Sequence, residues 1–270
     1  MAIEYLDEFA KPLIEVGIAP DLKQSSPGIW EGEVDVSRIW AHDETPQFIN
    51  FNASGQSKKK IFAGSGDDCA ELAKENRESV TVQPYSNFAG ELAMVQVVFA
   101  GAGITSHMCP ESAAEKIPNL LISVNQHGCT TGDTLHAAYK ELFDAVITPR
   151  RQQPGKEEEV HVIIADGHFD LKVLNFCEES RMDQFILWPD TSGATQKHDQ
   201  INGQLHAKYE KAKSSMFTAY SDINRECFMN ILAEIIQEWA SPEQLVKAGK
   251  RVGITSTGLS IKHMDQKMFQ

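Results

Sequence analysis

Positive charge is what this sequence is short of: 25 Lys and Arg stand against 38 Asp and Glu, a formal net charge of -13. A protein that grips nucleic acid through its phosphates replaces condensed counterions with its own cations. This balance excludes broad, unaided affinity for DNA. Any strong grip of that kind is expected from a segment not present here. Carboxylates gathered around cations are not excluded by it.

Other scarcities narrow the class further. The cysteines are five, Cys69, Cys109, Cys129, Cys177 and Cys227, an odd number with no CxxC. That excludes a paired disulfide framework and favours free thiols in a reducing, intracellular setting. His107/Cys109 and His127/Cys129 have spacings narrower than those of common zinc sites, so they read as ordinary buried or loop residues. Met1 to Ala10 carries three acids, no basic residue and no apolar h-region, unlike a signal peptide. No apolar run approaches the roughly 18 residues of a membrane span. Repeats and low-complexity tracts are lacking, while 41% hydrophobic residues permit a sizeable core.

What is present reads as alternating strands and helices. Residues 4–17 are weakly amphipathic and predict a helix that Pro12 breaks or restarts. Residues 20–33, rich in Pro, Gly and Ser, predict a loop, and 52–78 a long loop or loose hairpin. Strands are predicted at 36–42, 79–83, 92–100, 160–165 and 183–188, from β-branched and apolar runs. A hairpin turn falls at 87–91, around Gly90. Helices are predicted at 133–146, 171–179, 194–219 (interrupted at Gly203), 221–240 and 242–250. A meander followed by βαβ units makes a mixed sheet flanked by helices, an α/β fold. The expected division is an N-terminal helical and loop segment at 1–35, a core at 36–220 and a C-terminal helical extension at 221–270.

Three acids recur at telling places. Asp43 ends the first strand, Asp166 ends the strand after the first long helix, and Asp199 lies near the start of the helix after the last strand. Ligand sites of open sheets gather at strand ends. Three carboxylates in one crevice call for a cation, and oxygen ligands favour Mg²⁺ or Mn²⁺. On position alone, surface or capping carboxylates are the plainer reading. The sequences around the acids shift that balance.

HDET at 42–45 resembles the (M/A)DET motif of the DDE superfamily of transposases, in particular its pogo, Tigger and jerky branch. ENRESVTVQPYSNFAGELAMVQVVFAG at 75–101 resembles that family's next segment. NQHGCTTGDTLHAAYKELF at 125–143 is similar to its helix entry, with Cys129 where tryptophan is usual. HVIIADGH at 161–168 resembles the second-acid strand, and FILWPDTSGATQKHD at 185–199 resembles "LLCLPPHTTHLLQPLD". QEWASPEQLVKAGKRVGI at 237–254 adds elements of the family's end. The likeness covers roughly residues 4–260. Departures surround the acids. Asp190 and Gly193 replace two histidines, Gln196-Lys197-His198 replaces "QPL", Pro46 replaces a glycine, and Leu171 lies near the place of a missing histidine.

The resemblance implies an RNase H-like fold with Asp43, Asp166 and Asp199 as the catalytic and metal-binding acids. It implies two Mg²⁺ (or Mn²⁺) ions about 4 Å apart that drive DNA cleavage and strand transfer by water or a 3′-hydroxyl. His168 stands close enough to Asp166 to orient it or shuttle a proton. Lys58, Lys59, Lys60, Arg150, Arg151, Lys208 and Lys211, with Lys213, are the candidates for DNA phosphates. The implied partner is DNA, and the implied assembly a homodimer, which the sequence itself leaves open. Roughly 40 residues precede Asp43, too few for the family's helix-turn-helix region, so DNA recognition is expected to be separate or missing. No membrane partner is expected, and the implied location is nuclear. The competing reading is a domesticated, catalytically inactive protein that binds DNA or protein, which the acidic charge and replaced histidines favour.

Overall fold

Val80 and Val82 alternate with polar neighbours, and Val95, Val97 and Phe99 do the same one strand away; all five are buried in one core cluster. The period of two puts them on one face of a sheet. The computed structural model describes residues 2–49, 78–167, 170–188, 191–216 and 223–264.

In chain order, the chain opens with α1 (Ala2–Glu15), β1 (Lys23–Ser26), β2 (Ile29–Glu31), β3 (Ile39–His42) and β4 (Thr45–Phe48). It continues with β5 (Ser79–Asn87), β6 (Leu92–Ala100), α2 (Glu111–Lys116), β7 (Leu120–Asn125) and α3 (Gly132–Leu142). A π-turn at Phe143–Ile147 leads to α4 (Thr148–Arg151), then β8 (His161–Ala165), α5 (Leu171–Glu179) and β9 (Met182–Ile186). Last come α6 (Ser192–Thr195), α7 (Asp199–Met216), α8 (Arg225–Trp239), α9 (Pro242–Arg251), β10 (Ile254–Thr255) and β11 (Gly258–Ser260).

The main sheet has the order β7-β6-β5-β3-β8-β9, with β4 also on β5. Strands β3, β5 and β6 are antiparallel neighbours, whereas β8 runs parallel to β3 and β9 parallel to β8. This meander followed by parallel crossovers is the RNase H-like arrangement. On one face, α7 and α8 bury Ile201, Leu205, Tyr209, Phe228, Leu232 and Ile236 against β5 and β6. On the other, Leu135, Ala138, Tyr139 and Leu142 of α3 pack with Val173 and Cys177 of α5 over Trp40 and Ile163.

Strands β3 and β4 are one line of pairing interrupted at the acid. His42 faces Tyr85 and Thr45 faces Val82, so the intervening register sets Asp43 opposite Pro84. Proline has no N–H to give to either neighbouring strand. The ladder therefore opens where Asp43 and Glu44 leave the strand.

Several expectations are corrected. The stretch read as a loop at 20–33 contains β1 and β2, which join β11 and β10 in a second, four-stranded sheet. Pro12 lies within an unbroken α1. Its missing N–H strands only the carbonyl of Glu8, an exposed residue that water can serve. The first strand starts at Ile39, after a 3₁₀ turn at Val36–Arg38 capped by Asp35. The long helix is broken at Gln196–His198 and runs unbroken through Gly203. The stretch at 52–77 lies outside the described residues. No helix among the described residues is long and apolar enough to cross a membrane.

Candidate functional site

Parallel pairing brings the first two acids level. Ile39 pairs with Val162, Trp40 with Ile163 and Ala41 with Ile164. Carried on by two residues, that register sets Asp43 beside Asp166, on strands about 4.8 Å apart. Ala41 and Ile164 face the same core cluster, so each acid, two residues further on, leaves the sheet on that face. A cleft of about 170 Å³ opens there, lined by His42, Asp43, Glu44 and Asp166. A larger cavity of about 350 Å³, bounded by Trp40, Glu91, Arg150 and Lys156, is lined by none of the three acids.

Helix α7 brings the third acid. It lies over the Asp43 face, where His206 Nδ1 meets Gln47 Oε1 at 3.3 Å and Tyr209 donates to the Phe48 carbonyl at 3.1 Å. Its first residue is Asp199. The Asp199 carboxyl is hydrogen-bonded to that of Asp43, and the charge of Asp166 acts on both. Burial, reinforced by the Asp199 charge, pushes the Asp43 carboxyl up to about 8. Burial raises Asp199 as well, while its bonds to Asp43 and Ser192 oppose the rise. Asp199 keeps an exposed flank, so the crowding falls on its carboxyl end. Two such carboxyls cannot both ionise at this separation, and in a cation's absence they share a proton.

Buried polar side chains hold the third acid in place. Gln196, Lys197 and His198 are fully buried. Gln196 Nε2 donates to the His42 carbonyl at 2.8 Å. Lys197 Nζ donates to Ser86 Oγ at 2.7 Å and to the Asn87 carbonyl at 2.5 Å, with the Phe88 ring 4.9 Å away. His198 Nε2 lies 3.0 Å from Ser86 Oγ, and burial holds its imidazole well below the ordinary range. His42 serves the sheet's other face. Gln83 Nε2 donates to its Nδ1 at 2.8 Å, which leaves its Nε2 to donate to Tyr139 Oη at 2.9 Å.

The expected DNA-binding residues are scattered. Arg150 pairs with Glu159 at 2.8 Å and Asp35 at 3.4 Å. Arg151 donates to the carbonyls of Glu159, Ser180 and Arg181. Lys208 pairs with Glu238. Lys213 is buried, donating to the Phe48 carbonyl and Glu210. Lys211 is exposed. Lys58, Lys59, Lys60 and His168 lie outside the described residues, as does Asp190.

Sequence reasoning missed Asn202 and Gln196. Asn202 Nδ2 donates to Asp43 Oδ2 at 2.6 Å. Its spacing of three from Asp199 puts both on one helix face, a signal available from the sequence once Asp199 was chosen. Among the described residues, no three His, Cys, Asp or Glu side chains stand ready as a metal-ligand set. The tightly joined pair is Asp43 and Asp199, with Asp166 acting on it through charge.

No family model and no curated protein matches the chain. Solved structures similar to it include a Mos1 transposase paired-end complex with left transposon end, at 11% identity and TM-score 0.37 over 80% of this chain and 56% of that one. Another is the Mos1 mariner paired end complex with Mn, at 13% identity and TM-score 0.35 over 80% and 55%. This chain spans a little over half the length of those chains. At such identity and TM-score the likeness is too remote to transfer residues or activity.

Proposed function

We propose that this chain is a metal-dependent DNA cleavage and strand-transfer core of the pogo, Tigger and jerky type. Asp43, Asp166 and Asp199 hold two Mg²⁺ or Mn²⁺ ions in this reading. The observation that carries it is the meeting of carboxyls from three distant segments at one sheet edge, with Asp43 and Asp199 in direct contact. A fold gains nothing in stability by pressing acids together, and such strain concentrates at working sites. The donors are all oxygen, which suits a hard divalent cation. The proton that the acids share without metal is what a cation would displace.

When bound, the ions neutralise charge on the attacked phosphodiester and activate the attacking hydroxyl. The protein's own part is to hold the ligands. Asp43 and Asp166 are fixed by the β3–β8 ladder. Asp199 is fixed by the bonds of Gln196, Lys197 and His198. His168 is assigned a proton-carrying role beside Asp166. Lys58, Lys59, Lys60 and Lys211 are assigned DNA phosphates, whereas Arg150, Arg151 and Lys208 already serve internal partners. Acting on DNA, the protein would work in the nucleus as a homodimer, with end recognition supplied by a separate domain.

The test is nicking of supercoiled plasmid with Mg²⁺ or Mn²⁺. The wild type nicks, and Asp166→Asn does not. Equal nicking by both proteins, or none by the wild type, contradicts the proposal.

A further inference from the structure

Asn202 is the polar residue at this site whose bonding is half complete. Its Nδ2 is committed to Asp43 Oδ2 at 2.6 Å. Its Oδ1 is sealed from solvent and has no hydrogen-bond partner. A buried amide oxygen without a partner carries a desolvation cost that folds seldom tolerate. Because Oδ1 shares the amide carbon with Nδ2, it lies beside the same carboxylate. Asn202 also follows Asp199 by three residues on α7, so one helix face presents both.

The rest of the neighbourhood does not explain the free oxygen. The other buried donors nearby are spent: Gln196 Nε2 on the His42 carbonyl, Lys197 Nζ on Ser86 and Asn87, and Gln200 Nε2 on the Gly193 carbonyl at 2.7 Å. An uncharged oxygen next to two carboxyls that repel one another is what a hard cation uses to complete its shell without adding more charge.

We propose that Asn202 is a further member of this site, anchoring Asp43 through Nδ2 and offering Oδ1 as a neutral oxygen to the cation that the carboxylates hold. This rests on the metal-site reading above. It adds a fourth residue, from a position where the sequence resemblance assigns nothing.

The experiment is Mn²⁺ binding, followed by isothermal calorimetry and by the EPR signal of free Mn²⁺, on the full chain. The proteins are the wild type, Asn202→Ala, Asn202→Asp and Asp43→Asn, with circular dichroism and metal-free melting as the fold control. Asn202→Ala is expected to bind Mn²⁺ about 10- to 100-fold more weakly, the range for removing a group that supports a metal ligand. Asn202→Asp, which keeps an oxygen there, is expected to recover the affinity. Wild-type affinity in Asn202→Ala with weakened Asp43→Asn overturns the role of Asn202 and leaves the metal site standing. Weak binding by both Asn202 variants overturns the oxygen-donor role. Undiminished binding in Asp43→Asn overturns the site itself, and the inference with it.

Discussion

Gln196 Nε2 donates to the main-chain carbonyl of His42 at 2.8 Å, tying the segment that leads into Asp199 to the strand that leads into Asp43. Both ends of this bond are buried. Gln196→Leu keeps the volume roughly but leaves the His42 carbonyl unpaired, at a cost of about 1–3 kcal/mol. It also frees the approach to Asp199. Urea unfolding should show that loss, and plasmid nicking should fall beyond what the lost fraction of folded protein explains. Unchanged stability would mean that the bond does not hold this junction.

Lys197 predicts an alkaline effect. Its amine is buried without a carboxylate, and burial holds it well below its ordinary range. In the unfolded chain it remains protonated up to about pH 10.4. Between those limits the unfolded state binds one more proton, so stability rises with pH, by about 1.4 kcal/mol per unit. Lys197→Met removes the group. The wild type should gain stability relative to this variant from pH 8 to 10 in matched denaturation curves. A constant difference between the two contradicts a neutral Lys197.

His161 gives the acid-side counterpart. Trp40 Nε1 donates to its Nδ1 at 3.0 Å across the β3–β8 ladder. Burial, together with the charges of Arg150, Arg151 and Arg38, lowers its imidazole to about 3. The unfolded histidine takes up a proton near pH 6.5, and the folded one does not until about pH 3. Its contribution is therefore complete above pH 6.5 and declines as pH falls toward 3. His161→Gln keeps an acceptor for Trp40 and cannot titrate. Between pH 6.5 and 5 its stability should fall less steeply than the wild type's, by about 1.4 kcal/mol per unit. Parallel curves would contradict the assignment.

The parts of the fold legible in the sequence were those that local chemistry dictates. The runs at 79–83, 92–100 and 160–165 alternate or bury β-branched side chains, and they are β5, β6 and β8. Asp43 and Asp166 follow such runs, so their places at strand ends could be read directly. Strands β1 and β2 could not, because KQSS and IWE become strands only by pairing with residues 258–260, far along the chain. The break before Asp199 was equally hidden. Thr195 to Gln200 would pass for helix, but bonds from three buried polar side chains pull Gln196–His198 out of it. Asn202 carries no local mark beyond its spacing from Asp199.

The second sheet supplies a further test. Gly258 closes the β10–β11 hairpin with φ of 138°, and a Cβ there would collide with the Trp30 carbonyl. Gly258→Ala must open the pairing of β11 with β2. A loss of about 3 kcal/mol or more is expected, since strain and a broken ladder combine. Amide exchange should quicken at residues 29–31 and 254–260 ahead of the main sheet. Wild-type protection there would show that this contact does not hold the sheet.

The most direct measurement is a crystal structure with Mn²⁺ and its anomalous difference map. The account predicts manganese peaks bounded by the carboxylates of Asp43, Asp166 and Asp199, with Asn202 alongside. A map with no peak at that sheet edge, at manganese concentrations that saturate nicking, would contradict it.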